Sequence, residues 1–162
     1  MPKPGGGFAV FATRTLLPGE TIWEAEGSPH HLATRRWVEE QWGDRDRQWF
    51  RQYAWPLTDQ IWVTWSDEPE EWRPLNHSCD PNAWPDGLNL AVRKEIAPGE
   101  EIRVDYATYG NNILSPFDCT CGASKCRGRV REDDHLQPFL DRYGDHVSDY
   151  VREKRRNPGL RT

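Results

Sequence analysis

The placement of its four cysteines constrains this chain more than any other feature. Cys79 lies in the run Asn76-His77-Ser78-Cys79-Asp80-Pro81-Asn82, and the other three form Cys119-x-Cys121-x4-Cys126. Four soft thiolates suit a closed tetrahedral zinc site. A metal held this way pins the C-terminal segment onto the Asn76-His77 region. Two disulfides are the competing arrangement. Cys119 and Cys121 are too close to pair comfortably with each other, so Cys79 would have to take one of them, and a disulfide framework implies secretion. The early apolar run, Phe8 to Ala12, is too short for a signal-peptide core. That favours the metal.

A chain of 162 residues is long enough for one domain with a real core. It has no stretch approaching the ~18 apolar residues of a membrane helix, so no membrane partner is expected. The net charge of -5 argues against a direct nucleic-acid contact, which favours a basic face, and suits a basic partner better. Nine tryptophans are many for this length, and all but Trp23 fall between Trp37 and Trp84. Core filling accounts for most of them; an apolar groove built by that stretch is the alternative.

The pattern of apolar and turn-forming residues predicts a mainly β chain with short helices. Phe8 to Ala12, Thr21 to Glu24, Ile61 to Trp65 and Asn89 to Arg93 read as strands. Thr34 is placed to cap a helix over 35–42 with Trp37, Val38 and Trp42 on one face. Asp44 is placed to cap a second with Trp49, Phe50 and Tyr53 inward, ending before Pro56. One pattern repeats: Ala12-x3-Leu16-x2-Gly19-Glu20-x-Ile22 is echoed by Val92-x3-Ile96-x2-Gly99-Glu100-x-Ile102. Each copy reads as a hairpin turning at Pro-Gly-Glu. After Cys126, Asp133 or Asp134 is placed to cap a helix. Leu136, Phe139, Leu140, Tyr143, Val147, Tyr150 and Val151 follow helical spacing, with Gly144 as a break. Arg155 to Gly159 reads as a frayed basic tail. His30, His31, His135 and His146 show no ligand spacing and default to the surface.

Four motifs now stand in order: Gly7-Phe8-Ala9-Val10-Phe11-Ala12; Arg73-Pro74-Leu75 with the run from Asn76 to Asn82; Gly99-Glu100-Glu101-Ile102-x-Val104-Asp105-Tyr106; and Phe117-Asp118-Cys119-Thr120-Cys121-Gly122-x3-Cys126-Arg127-Gly128. Together they resemble the SET-domain family of protein-lysine methyltransferases with its zinc-binding post-SET segment. The resemblance implies a β-clip fold with a pseudoknot, in which the segment around Tyr106 passes under an earlier loop, an exception to the rule against threading. It implies a SET domain over 6–110, a post-SET zinc segment over 111–130 and a helical extension over 131–162. The implied cofactors are S-adenosylmethionine and Zn2+, and the implied partner is a basic, lysine-containing protein or peptide. The compartment follows the source: cytoplasmic if bacterial, nuclear or cytoplasmic if eukaryotic.

The resemblance also assigns roles. Gly7, Phe8, Ala9, Asn76, His77, Tyr106 and Phe117 are the expected cofactor-binding residues. Tyr106 is the expected catalytic tyrosine, and Cys79, Cys119, Cys121 and Cys126 are the expected zinc ligands. Ala9 stands where the family usually has glycine, so its methyl crowds the backbone approach. Val104 stands at a substrate-channel position that often carries Phe or Tyr; it has neither ring nor hydroxyl, so di- or trimethyllysine is the expected product. A lysine amine must lose its proton before it attacks, and a dry channel beside a cation favours the neutral form. An acidic base is not required, so Asp105 reads as structural. A non-catalytic SET-like module that keeps zinc and fold, and a structural zinc protein of related β-clip type, are the rival classes.

Overall fold

The computed structural model describes residues 8–26, 30–64, 74–110 and 116–159. Gly7, Trp65, Trp72 and Arg73 lie outside that set. Among the described residues the strands are β1 (Thr21–Trp23), β2 (His31–Thr34), β3 (Trp55–Pro56), β4 (Ile61–Thr64), β5 (Asn76–His77), β6 (Ala83–Asp86), β7 (Asn89–Val92), β8 (Arg103–Val104), β9 (Phe117–Asp118) and β10 (Arg129–Val130). The α-helices are α1 (Arg35–Gln41), α2 (Asp44–Tyr53) and α3 (Asp149–Arg156), and short 3-10 turns cover Tyr106–Thr108, Asp134–Leu136 and Pro138–Tyr143. The class is therefore small sheets with short helices, as expected.

The sheets have the orders β1-β7-β6, β2-β4-β3, β5-β8 and β10-β9. Each has two or three strands, which is at the margin of independent stability in water. The fold must therefore be held by what joins the sheets. One joint is the sequence repeat. Its two copies do not fold as separate hairpins; they pair with each other. Leu16 and Ile96 exchange both backbone hydrogen bonds at 3.0 Å. Around them the contacts are reciprocal. The Gly19 N–H donates to Val92 O and the Gly99 N–H to Ala12 O, while the Val92 N–H donates to Glu20 O and the Ala12 N–H to Glu100 O. The result is a local two-fold through the Leu16–Ile96 pair. Gly19 and Gly99 carry φ of 88° and 81°, which the turn demands and a Cβ resists. The apolar residues of both copies, Ala12, Leu16, Val92, Ile96 and Ile102, form one core with Leu90 and Val104.

The insert between the two copies builds a second core from Ala33, Val38, Phe50 and Trp62. Thr34 caps α1, its side chain accepting from the Trp37 N–H, a contact that contributes about 1 kcal/mol. Asp44 does not cap α2. Gly43 holds that position without a side-chain bond, and Asp44 and Asp46 sit in the first turn, where a carboxylate complements the helix dipole. Of the described tryptophans only Trp62 is fully buried, and Trp37 is exposed. The rest stand half-buried, Trp42 edge-on to Phe50 and Trp55 edge-on to Tyr109 among them, because two- and three-strand sheets cannot enclose a ring on all sides.

Other expectations need correction. Phe8 to Ala12 is not a continuous strand; Phe11 makes an isolated bridge to Glu101. After Cys126 the chain forms 3-10 turns rather than an α-helix up to Tyr143, since Pro138 cannot donate a helical hydrogen bond and Gly144, at φ 55°, ends the run. Leu136 is exposed, while Leu140, Tyr143, Val147, Tyr150 and Val151 are buried with Ala107. Arg155 and Arg156 belong to α3, and Arg155 is engaged by Gln137 O and Asp141. His135 is buried, and His146 stacks on Trp84 with centroids 3.7 Å apart. His30 and His31 are exposed.

Candidate active site and metal centre

β5 and β8 pair in parallel, with His77 opposite Val104 and the Ser78 N–H donating to Val104 O. This pairing sets the Asn-His run beside the segment that ends in Tyr106. The Tyr106 N–H donates to His77 Nδ1 at 3.2 Å, and the Tyr106 phenol donates to Leu75 O at 2.9 Å. The rings of His77 and Tyr106 stand 5.3 Å apart. Phe117, brought in by β9, closes on both edge-on at 6.1 and 6.2 Å. Asn76, His77, Tyr106 and Phe117 are thus gathered from three separate stretches of chain.

Asn76 spends both amide protons within the protein. Nδ2 donates to Phe8 O at 2.8 Å and to Glu101 Oε1 at 2.7 Å. Its side chain therefore ties the N-terminal segment to the site and leaves Oδ1 for other contacts. Ala9, which follows Phe8, is completely buried, so its methyl faces protein. Phe8 is half-exposed. Gly7 lies outside the described residues. Val104 is 2% exposed and packs in the main core, with Tyr106 and Tyr109 against the same cluster.

The four cysteine sulfurs all lie within 4.8 Å of one another, with Cys79 and Cys119 Sγ 3.8 Å apart. Four sulfurs at the corners of a tetrahedron around zinc, each about 2.3 Å from it, are separated by about 3.8 Å. Burial pushes the Cys79 and Cys119 thiols up, Cys119 to about 11, so a bound cation would have to supply the charge that holds them as thiolates, while backbone N–H groups face the sulfurs. N–H groups of Arg127 and Gly128 point at Cys79 and Cys126 Sγ, and that of Cys79 points at Cys121 Sγ. Burial opposes ionisation of Cys121, but the N–H groups of Cys79 and Ala123 outweigh it and bring its pKa down to about 6. The donor set fits zinc. All four thiols are free of disulfides.

His77 connects the cysteine cluster with Tyr106. Its Nδ1 accepts from Tyr106, so the neutral ring carries its proton on Nε2, which faces Cys79 Sγ at 3.3 Å. Burial pushes the imidazole down to about 4 against the opposing pull of Asp105, so the ring is neutral in ordinary buffers. Burial also pushes the Tyr106 phenol above its usual value. That phenol is a neutral hydrogen-bonding group rather than a strong base.

Asp105 is fully buried and surrounded by donors. Arg127 grips it with two nitrogens at 2.7 and 2.9 Å, the Tyr143 hydroxyl donates at 2.8 Å, Arg142 lies at 3.2 Å, and Ala107 N–H donates at 3.1 Å. Burial acts to raise this carboxyl, and Arg127 foremost holds it below its usual range. Arg142, Tyr143 and Glu101 had no sequence signal as site residues, because their partners are distant in the chain.

The SET domain family model matches residues 7–107. Among curated proteins, histone-lysine N-methyltransferase Set2 of Drosophila melanogaster is 31% identical over 137 residues, covering 76% of this chain and 6% of the fly protein. Methyltransferase flvH of Aspergillus flavus is 29% identical over 86 residues, covering 49% of this chain and 48% of that protein. Histone-lysine N-methyltransferase TRX1 of Oryza sativa subsp. japonica is 32% identical over 66 residues, 36% of this chain and 6% of that one. The chain spans about half or less of the length of these relatives.

Proposed function

This chain belongs to the SET-domain family, and on that premise we propose that it transfers a methyl group from S-adenosylmethionine to a lysine side chain of a protein substrate. The observation that carries the reading is the convergence of Asn76, His77, Tyr106 and Phe117 beside a four-thiol cluster. The free polar edge of Asn76 and the backbone of β5 offer hydrogen bonds to an adenine, and Phe117 offers a ring wall. When bound, the cofactor supplies an electrophilic methyl group on a positively charged sulfur. The Tyr106 phenol, fixed by Leu75 O, orients the incoming amine; its role is alignment and electrostatics. The buried surroundings of Tyr106 disfavour an ammonium, so the amine enters neutral.

Zinc is held by Cys79, Cys119, Cys121 and Cys126. The SET unit covers 6–110, the zinc segment 111–130 and the extension 131–162. The parallel β5–β8 pair is consistent with a pseudoknot around Tyr106. A basic substrate complements the acidic chain; the histone-directed names of two relatives support a protein acceptor. Val104 lacks the bulk and hydroxyl that stop repeated transfer, so the product reaches di- or trimethyllysine.

The test is radiolabelled methyl transfer into lysate proteins, with calorimetry of cofactor binding and mass spectrometry of the modified residue. Label on lysine, lost in Tyr106→Phe while binding persists, supports the proposal. No cofactor binding refutes it. Binding without transfer to any protein favours the non-catalytic module. Monomethyllysine as the end product under excess cofactor removes Val104 from control of product state.

A further inference from the structure

The proposed function uses residues up to Cys126 and leaves the C-terminal extension without a task. Its contacts give it one. Arg142 lies beyond the matched residues 7–107, on the turn Pro138–Tyr143. Its Nη2 donates to Cys79 O at 2.6 Å and reaches Asp105 Oδ2 at 3.2 Å. The first contact fixes the backbone two residues after His77. The second fixes the carboxylate immediately before Tyr106. One guanidinium therefore spans the two strands of chain whose side chains meet as the His77–Tyr106 pair. The guanidinium is itself held: the rings of Tyr143 and Phe139 lie 4.7 and 5.6 Å from it, and it also donates to the Tyr143 hydroxyl at 2.7 Å. That hydroxyl closes the loop by donating to Asp105.

Charge shows why the position matters. The buried cluster holds two carboxylates, Asp105 and Asp134, against two guanidinium groups, Arg127 and Arg142. Arg127 bridges both carboxylates, so without Arg142 the cluster carries an excess negative charge beside Tyr106. Removing one partner of a buried ionic cluster leaves charge uncompensated and is destabilising, even though Arg127 still holds Asp105. Asp105 also caps the turn that begins at Tyr106, through the Ala107 N–H, so a shift of the carboxylate moves that turn.

We propose that Arg142 is a positioning residue of the active site, acting through Asp105 and the Cys79 carbonyl to hold Tyr106 against His77. The catalytic role of Tyr106 rests on the reading given above; the placement of the turn does not. The C-terminal extension is then part of the site's framework rather than an appendage.

The experiment compares the wild-type chain with Arg142→Ala, Arg142→Lys and, as a control on the same extension, Arg155→Ala. Four quantities are read: kcat and KM for methyl transfer, S-adenosylmethionine affinity, zinc per chain, and amide hydrogen exchange of the peptide spanning 104–110. For Arg142→Ala the expected result is a fall of about tenfold or more in kcat, with KM and cofactor affinity within about twofold. Zinc stays at one per chain, and exchange at 105–108 rises by about tenfold. Arg142→Lys recovers part of both changes, and Arg155→Ala changes neither. Unchanged kcat with unchanged exchange overturns the proposal. So does parallel loss of zinc and cofactor binding, which assigns Arg142 to general folding. If wild type transfers no methyl group at all, the proposed function fails; the exchange comparison still decides whether Arg142 fixes the turn, with unchanged exchange overturning it.

Discussion

At the scale of single residues, the site sets two neutral groups, His77 and Tyr106, against a buried cluster of charges centred on Asp105. His77 and Tyr106 are both kept uncharged by burial, whereas Asp105 stays ionised because donors surround it. Replacing Asp105 by Asn removes the charge that Arg127 and Arg142 face. A cost of about 3–5 kcal/mol is expected, the range for breaking a buried pair, and it is read as a fall in the denaturant midpoint at pH 7. The pH dependence has a definite sign. The folded carboxyl titrates below its unfolded value of about 3.9. Its stabilisation is complete above that value and is lost as pH falls through the folded one. The gap between wild type and Asp105→Asn should therefore narrow on going from pH 6 to pH 3. Acid acts alike on every other group in the two proteins, so the difference between them isolates Asp105. A gap that is constant across this range would mean that Asp105 is not the ionised partner. The acceptor chemistry has its own test at this scale: Tyr106→Phe should lose on the order of a few kcal/mol of transition-state stabilisation with cofactor affinity nearly unchanged. Unaltered turnover would remove the phenol from the mechanism.

At the scale of elements, glycines of the same backbone sign have different jobs. Gly99 sits at φ 81° with open space where a Cβ would be; Gly110 sits at the same φ, but a Cβ there would meet the Tyr150 ring at 2.8 Å and Val151 at 3.3 Å. Gly99→Ala should cost only the left-handed strain, about 1–2 kcal/mol. Gly110→Ala adds overpacking of about 1–3 kcal/mol and should separate α3 from the Thr108–Tyr109 backbone that Ser148 binds. Equal melting shifts for the two variants would show that α3 is not tightly seated. This contrast marks how far the sequence could be read. Both Pro-Gly-Glu turns were legible because turn chemistry is local, and so was the Thr34 cap. The partners of the repeat were not, because Leu16 meets Ile96 across about half of the chain; periodicity names the strand but not its neighbour. Likewise the Asn-His and cysteine motifs marked the site, since their side chains recur at fixed short spacing. Arg142 and Glu101 were invisible as site residues. They join it through contacts separated by 63 residues to Cys79 and 25 to Asn76, and no local pattern encodes such a contact.

At the scale of the whole molecule, small cores are joined by three kinds of link: the reciprocal backbone pairing of the repeat, the buried Asp–Arg cluster, and the cysteine centre. The last holds most of the ribbon β9–β10, which has two residue pairs of its own, buries little beyond Val130 and the cysteines, and otherwise touches the rest through Phe117 and the Arg127 of its connection. Such a ribbon is not stable alone in water. Structural zinc contributes apparent binding energies of about 10–16 kcal/mol in small metal domains, comparable to the entire stability of an ordinary domain. The α3 region is held differently. Tyr150 and Val151 lie in a core with Ala107, Leu140 and Tyr143, and Tyr150 and Lys154 both reach Asp59 in the insert, at 3.1 and 2.6 Å. Metal removal should therefore act in two stages. A chelator first exposes 117–130, together with the Asn76–Ser78 backbone, and cofactor affinity falls in step because Phe117 leaves His77 and Tyr106. The amides of 149–156 lose protection later, at higher chelator or denaturant. Elemental analysis should give one zinc per chain beforehand, and hydrogen exchange read by segment should give the order. Protection of 117–130 that survives complete metal removal would show that packing alone holds the ribbon. Simultaneous loss in both segments would show that the Asp105 cluster transmits the loss of metal through Arg127 to Arg142 and so to the entire extension.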